Sequence, residues 1–144
     1  MRYRRRDPRA LAAVAGAVLA LAAAGHGHHH GRPAAASPPA AAGANEALAN
    51  HMAAAYGWTG DQVRCLDALW TRESAGTWSP TVWNYQGSGA YGIPQALPAD
   101  KMASAGPDWR TNPATQIRWG LGYITTTYHT PCGAWAHEQA HSWY

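Results

Sequence analysis

Glu73-Ser74 and the glycine-rich, aromatic segment 89–98 are the parts of this chain best suited to chemistry. A carboxylic acid in partly apolar surroundings can donate a proton, and a groove of glycines and aromatic rings can bind a sugar polymer. Together they indicate an enzyme that protonates a glycosidic oxygen. We predict Glu73 as the catalytic acid and include Ser74 among the substrate-binding residues.

Aromatic residues are numerous enough to line such a groove. The chain has 8 tryptophans and 7 tyrosines, nearly all after residue 55. Aromatic faces stack on the C–H faces of sugars, although most rings in a small domain belong to the core. We assign Tyr91 and Trp83 to substrate binding and leave Trp70 and Trp119 to packing.

A helix must position Glu73. Residues 59–62 have the form of a capping box, so we expect this helix to begin at Thr59. At about 100° per residue Glu73 falls on the apolar face, and Gly76 can end the helix. The acid is therefore predicted at the last turn, where core gives way to surface. The apolar face consists of Val63, Leu66, Leu69 and Trp70.

Three further helices are predicted, so the fold class is mainly α, with a short hairpin or irregular loop at 81–93 beside the groove. The helices cover 45–56, a segment that starts at Asn112-Pro113 and extends to Tyr128, and 134–143. Gly120 and Gly122 interrupt the middle one, which favours close approach of another backbone or a ligand there.

The acid has no second carboxylate nearby in sequence. A retaining glycosidase needs one about 5 Å away, and an inverting enzyme needs one at roughly 6.5–9.5 Å. This favours a mechanism with one reacting carboxylate. Three acidic residues can still reach Glu73 through the fold, namely Asp100, Asp108 and Glu138.

Five segments together resemble the small secreted actinobacterial lytic transglycosylase domains, which are soluble-transglycosylase or goose-lysozyme-like. The resemblance covers most of 59–144 and implies a lysozyme-like α+β fold, peptidoglycan as substrate and Glu73 as the acid. It also implies groove roles for Gly92, Gln95 and Tyr123. The segments are ALWTRES, GSGAYGIPQALP, KMASAG, DWRTNPATQIRWGLGYI and PCGAWAH.

Two places depart from the family pattern. After Glu-Ser the family commonly has a glycine and an aromatic residue, whereas this chain has Ala75-Gly76-Thr77-Trp78, which predicts a longer loop beside the acid. The tyrosine-asparagine pair of many larger transglycosylases is replaced by Trp135-Ala136-His137. The partner of Glu73 on the groove floor is therefore left open.

A competing motif lies near the end of the chain. Residues 137–141 match the H-E-x-x-H pattern, in which two histidines one helical turn apart bind zinc and the glutamate is the general base. No third ligand follows within the chain, so we expect no metal or other cofactor and keep a zinc metalloprotease as a remote alternative. The histidines in 26–30 form a cluster that a biased linker also explains.

The first 24 residues have the order of a secretory signal peptide, basic, then apolar, then small. An uncleaved membrane anchor and twin-arginine export are the alternatives. Removal of 1–24 takes five arginines and one aspartate away, so the formal charge changes from +3 to −1. The remaining protein lacks the basic field that nucleic acid or an anionic membrane requires. Residues 25–44 are predicted to be a low-complexity linker.

Two cysteines in an exported chain predict a Cys65–Cys132 disulfide, with two buried free thiols as the alternative. We thus expect a secreted, monomeric, cell-wall protein whose domain 45–144 binds peptidoglycan glycan strands, with no nucleic-acid partner and no stable membrane insertion. The predicted activity is lytic transglycosylation, which cleaves MurNAc-β-1,4-GlcNAc bonds and leaves 1,6-anhydro ends. A hydrolytic muramidase and a non-catalytic wall-binding module are the alternatives.

Overall fold

The structure, a computed structural model, describes residues 38–144. The predicted signal peptide, most of the predicted linker and the histidine cluster at 26–30 lie outside the described residues. The described part is mainly helical, as predicted. Its elements are α1 (Pro38–Ala54), α2 (Asp61–Glu73), a 3₁₀ helix (Ala99–Ala105), α3 (Pro113–Tyr128) and α4 (Pro131–His141).

Helix α1 begins at Pro38, earlier than the predicted start at Asn45. Proline suits the first turn of a helix, and the alanines that follow have the highest helix propensity. Ala42 packs against the core, which ties this part of the predicted linker to the domain. Composition alone therefore gave the wrong conformation for the end of the linker.

Helix α2 begins at Asp61, not at Thr59, and its N-cap Gly60 makes no side-chain capping bond. The predicted capping box does not form, because Gln62 is used elsewhere. Its Oε1 accepts a hydrogen bond of 3.0 Å from the backbone N–H of Cys132, in the first turn of α4. Gln62 thus satisfies an N–H that lacks a partner within its own helix.

The predicted apolar face of α2 is confirmed at its centre. Leu66, Leu69 and Trp70 are fully buried, and Val63 is partly buried. They join a core between α1, α2, α3 and α4, and burying each large side chain stabilises the fold by roughly 1.5–3 kcal/mol. The other buried members are Ala49, Ala53, Trp58, Trp78, Ile93, Ile117, Leu121, Ile124 and Ala134.

Helix α3 starts as predicted, with the Asn112 side chain accepting from the N–H of Ala114 and Pro113 in the first turn. A close neighbour does meet Gly120, but it is the side chain of Trp70 and not the predicted backbone or ligand, since a Cβ there would lie 2.6 Å from Cζ2 of Trp70. At Gly122 no other backbone approaches, because a Cβ there would meet nothing within 4 Å.

Two helices and a loop frame the candidate site. The predicted Cys65–Cys132 disulfide is present and joins α2 to α4. Between α2 and the 3₁₀ helix, the chain forms the irregular loop predicted as one alternative, with isolated antiparallel bridges Trp83–Tyr91 and Tyr91–Ala96. Within residues 38–144, every helix is too short or too polar to cross a membrane.

Candidate functional site

Glu73 is the last residue of α2, as predicted, and the turn after it fixes its position. The hydroxyl of Ser74 donates to the carbonyl of Trp70 at 2.7 Å and accepts from the N–H of Trp78 at 3.0 Å. The N–H of Gly76 donates to the carbonyl of Thr71 at 2.7 Å. Ser74 is fully buried, which corrects its predicted role. It closes the helix end and is not available to a substrate.

The carboxyl of Glu73 is partly buried, and its pKa is raised to about 7. Burial is the main cause, because desolvation penalises the charged form. The charge of Glu138 and a hydrogen bond with it raise the pKa further, while the charge of Arg72 lowers it. Near neutral pH a large fraction of Glu73 is therefore protonated and able to act as an acid.

Glu138 reaches Glu73 through the packing of α4 on α2. It is only 2% exposed, and its Oε1 lies 2.8 Å from Nε of Arg72 in an ion pair. Its Oε2 is buried and has no hydrogen-bond partner among the described donors. Of the three acidic residues left open by the sequence, this one lies beside the acid. Asp100 and Asp108 are both exposed.

The geometry of Glu138 does not suit a reacting carboxylate. In a retaining enzyme the two carboxyl groups lie about 5 Å apart, with the sugar between them. Glu138 instead lies within hydrogen-bonding reach of Glu73 and has almost no exposed surface. The arrangement can hold a proton on Glu73, and it leaves no room for a sugar between the two groups.

Two tyrosines that the sequence did not single out complete the surroundings of the acid. Burial raises the pKa of Tyr128 to about 12 and that of Tyr144 well above its ordinary value, and the charge of Glu73 contributes to both shifts. The hydroxyl of Tyr144 accepts from Nε1 of Trp70 and donates to the carbonyl of Pro94, both at 2.8 Å. Both tyrosines are thus neutral phenols at the pH at which Glu73 titrates.

Tyr144 also lines a cleft of about 60 Å³. The predicted residues Gln95 and Tyr123 line the same cleft. The rings of Trp119 and Tyr123 stack with centroids 5.3 Å apart and planes 9° from parallel. Trp119 was predicted to belong to packing alone, but it also lines this cleft. The remaining lining residues are Pro94, Ala96, Leu97 and Lys101.

Gly92 has a different role from the predicted groove contact. It is buried with φ +77°, and a Cβ there would collide with the side-chain amide of Gln116. Oε1 of Gln116 accepts from the N–H of Ile93 at 2.9 Å. Its Nε2 donates to the carbonyls of Pro80 and Trp109 at 2.8 and 2.7 Å. Gln116 is fully buried and anchors the loop to α3, a role that helical periodicity did not reveal.

The predicted binding residues differ in how accessible their side chains are to a ligand, as Gln95, Tyr91 and Trp83 show. Nε2 of Gln95 donates to the carbonyl of Gly92 at 2.9 Å, and its residue is partly buried. The hydroxyl of Tyr91 donates to the carbonyl of Arg110 at 2.7 Å. Trp83 is 57% exposed, so its ring is the most accessible of the predicted binding residues.

The loop beside the acid is free of charge. From Ser74 to Ala99 the chain contains no aspartate, glutamate, lysine, arginine or histidine. Its exposed side chains include amides, hydroxyls and aromatic rings, together with the aliphatic Leu97. The rings of Trp83 and Tyr85 have centroids 5.8 Å apart. Such groups suit neutral, hydroxyl-rich ligands, because each can hydrogen-bond or stack without an ionic partner.

The histidines of the H-E-x-x-H segment pack against aromatic neighbours. The ring centroids of His137 and His141 are 4.3 Å apart, and Nδ1 of His137 lies 2.9 Å from the carbonyl oxygen of Trp143. Glu138, the base of that motif, is instead engaged by Arg72. Among residues 38–144, no three histidine, cysteine, aspartate or glutamate side chains are placed to hold a metal ion together.

A larger cleft of about 550 Å³ lies between α1 and residues 76–80. Every residue that lines it is apolar or neutral, so it offers no group for acid–base chemistry. The chemistry therefore points to Glu73 and the smaller cleft. Comparisons with protein-family models, with curated proteins and with solved structures give no match to this chain.

Proposed function

We propose that this chain is a peptidoglycan lytic transglycosylase with Glu73 as its one reacting carboxyl. The observation that carries the proposal is a carboxyl at a helix end whose pKa is raised to about 7. A general acid is most effective when its pKa is near the working pH. In this proposal the mainly helical fold is of the lysozyme-like kind, and the protein acts outside the cell on the wall.

The proposed reaction has two proton transfers at the same carboxyl. Glu73 donates its proton to the glycosidic oxygen as the bond from that oxygen to C1 of the muramic acid breaks. The oxocarbenium-like centre is stabilised by the substrate's own N-acetyl group. Glu73 then accepts the proton of the 6-hydroxyl as its oxygen bonds to C1, which forms the 1,6-anhydro ring and restores the acid.

The uncharged loop supports a glycan as substrate. Its amides and rings can meet hydroxyls and C–H faces of sugars along the strand, and the acid directly precedes the first residue of the loop. The stacked pair Trp119–Tyr123 and the side chain of Gln95 line the smaller cleft together with Tyr144, whose pKa the charge of Glu73 raises. These groups are the proposed contacts for the sugar at the cleaved bond.

Mass spectrometry of digested peptidoglycan tests the proposal. We expect muropeptides with anhydro ends. Products heavier by one water, with reducing ends, would make the protein a muramidase and require a water-activating group. Binding to purified walls without any release of fragments would instead indicate a non-catalytic wall-binding module.

A further inference from the structure

Glu138 presents a carboxylate oxygen that the rest of the described structure leaves without a donor. The residue is 98% buried, since its exposed fraction is 2%. Its Oε1 is held by Arg72, and no N–H or hydroxyl donor reaches its buried Oε2. A buried acceptor without a donor is costly, by roughly 1–3 kcal/mol. Two nearby groups can supply a donor: the hydroxyl of Tyr128, which is itself buried without a partner, and the carboxyl of Glu73 when it carries a proton. Glu73 is the one whose own pKa a hydrogen bond with Glu138 raises.

We infer that Glu138 is a positioning residue for Glu73: its buried carboxylate, fixed by Arg72, accepts a hydrogen bond from the protonated acid and aligns it for proton transfer. The two carboxyl groups then share one proton, and Arg72 neutralises the remaining charge. Two like charges at hydrogen-bonding distance in a partly apolar site disfavour a second ionisation. The pair therefore keeps Glu73 in the form that the first step of the reaction needs.

The same arrangement assists the second proton transfer, a step that rests on the proposed function. When Glu73 has given its proton to the leaving oxygen, two carboxylates face each other beside a single Arg72. Their repulsion makes Glu73 a stronger base toward the 6-hydroxyl. The proton returns to Glu73, the C1–O6 bond forms, and Glu138 and Arg72 end as they began.

The helices that carry the pair are tied together about two turns away from it. Cys65–Cys132 joins α2 to α4, and Gln62 bonds the N–H of Cys132 at 3.0 Å. A hydrogen bond between carboxyls requires a fixed separation, which a covalent tie between their helices helps to maintain. Other titratable groups facing the pair are Tyr128 from α3 and Tyr144 near the chain end, both neutral at the pH of the reaction.

A purely structural ion pair is the competing explanation of Glu138. It predicts that loss of Glu138 lowers stability and leaves the titration of Glu73 unchanged. The positioning role predicts a change in the titration itself. The two explanations are therefore separated by a direct measurement on the Glu73 carboxyl, independent of turnover.

The experiment is a carbon-13 NMR titration of the Glu73 carboxyl in the full protein, in wild type and in Glu138→Gln. We expect the midpoint to fall by about one pH unit, because a like charge is removed and the glutamine amide can donate to the ionised form. It should stay above that of an ordinary glutamate, since burial persists. Asp100→Asn, which removes an exposed carboxyl, is the matched control and should leave the midpoint unchanged.

A second variant guards against poor folding of the first, in which the half-exposed Arg72 loses its charged partner. Arg72→Gln/Glu138→Gln removes both charges and keeps hydrogen-bonding groups in place. Its midpoint should also fall, since Glu138 affects Glu73 more strongly than Arg72 does. An unchanged or higher midpoint in the folded variants overturns the inference.

The pH profile of kcat/KM on peptidoglycan then separates this inference from the proposed function. We expect the alkaline limb to move to lower pH in Glu138→Gln, with kcat reduced and KM little changed. Shifted NMR midpoints in a protein that cleaves no wall would keep the carboxyl pair and reject the function. If wall cleavage depends on Glu73, but Glu138→Gln changes neither the NMR midpoint of Glu73 nor the alkaline limb of the pH profile, the proposed function stands and the positioning role of Glu138 is rejected.

Discussion

The candidate site has two sides that differ in charge. The acid side, Arg72, Glu73 and Glu138, concentrates three ionisable groups at one helix contact, and Glu138 is nearly inaccessible. The loop side, residues 74–99, has no charged group and exposes aromatic rings, amides and hydroxyls. The acid side thus suits proton transfer, and the loop side suits a neutral polymer.

The two sides are also held differently. A disulfide joins the helices of the acid side. One buried amide, that of Gln116, instead holds the loop side through two backbone groups, the N–H of Ile93 and the carbonyl of Pro80. Reduction breaks the disulfide, whereas the hydrogen bonds are lost when the amide is replaced. If the acid side transfers protons and the loop side binds the polymer, substitutions on the acid side should alter the reaction rate and its pH dependence. Substitutions on the loop side should alter substrate binding and the order of the loop.

The largest effect is expected from Glu73→Gln. It removes the proton donor while keeping the shape and a hydrogen-bonding group, so turnover of purified walls should fall by about 10²–10⁴-fold. Release of soluble fragments measures the rate, and circular dichroism checks that the variant folds. Full activity in folded Glu73→Gln would remove the acid side from the reaction.

Loss of the disulfide should destabilise the domain by roughly 4 kcal/mol, because a cross-link over 67 residues restricts the unfolded chain. The variant Cys65→Ala/Cys132→Ala can be compared with wild type by urea unfolding. Wild type with reductant should resemble the double variant, and adding reductant to that variant should change nothing. Equal midpoints for oxidised wild type and the double variant would contradict the expected role of the tie.

Gln116→Leu tests the anchor of the loop side. The variant leaves the N–H of Ile93 and the carbonyls of Pro80 and Trp109 without their partner, so stability should fall by about 3 kcal/mol. Urea unfolding measures this loss, and Gln139→Leu, at an exposed position on α4, is the matched control. Equal losses in the two variants would mean that Gln116 does not anchor the loop.

The sequence predicted those features of the fold that are determined by residues close together in the chain. The apolar face of α2 and the start of α3 at Asn112-Pro113 depend on spacing and capping within one segment. The disulfide joins residues 67 apart, but with only two cysteines in the sequence there was one possible pair. The end of α2 at Glu73 also lies where the apolar face and Gly76 indicated, three residues before that glycine. For these features no knowledge of the tertiary packing was needed.

Features that depend on which helices meet could not be predicted in the same way. Glu138 remained one of three open acidic residues, because only the packing of α4 on α2 selects it. Ser74 looks polar and available in sequence, yet the turn after α2 buries its hydroxyl against backbone groups. In the sequence Gln116 resembles any polar residue of a helix, and only the folded loop that packs on α3 shows its role. In each case the partner is distant in sequence or its burial is set by the fold.

The pH dependence of stability sharpens the contrast between the sides. The pKa of Glu73 is about 7 in the folded protein and has an ordinary value near 4.5 when unfolded. The folded state therefore binds more protons between these values, and the contribution of Glu73 to stability is fully present below pH 4.5 and is lost as pH rises through 7. Glu73→Gln should remove this loss and be more stable than wild type by roughly 1–3 kcal/mol at alkaline pH, allowing for partial solvent access.

Urea unfolding of wild type and Glu73→Gln at acid and alkaline pH measures that difference. Asp100→Asn, on the exposed surface of the 3₁₀ helix, should keep the wild-type pH dependence. Parallel pH dependences for wild type and Glu73→Gln would show that the acid is not desolvated in the folded state. The raised pKa would then no longer support a role as proton donor.

The smallest effect is expected on the loop side, from Trp83→Ala. The ring is 57% exposed and lies beside Tyr85, so its loss should cost one stacking contact with a sugar and little stability. At about 1 kcal/mol for such a contact, KM for solubilised glycan strands should rise about fivefold while kcat stays the same. The matched control is Trp143→Ala, because Trp143 is 59% exposed and lies outside the loop. A rise in KM for both variants would indicate a general loss of apolar surface. A fall in kcat for Trp83→Ala alone would mean that the loop side takes part in positioning the bond at Glu73, and the proposed division between the two sides would fail.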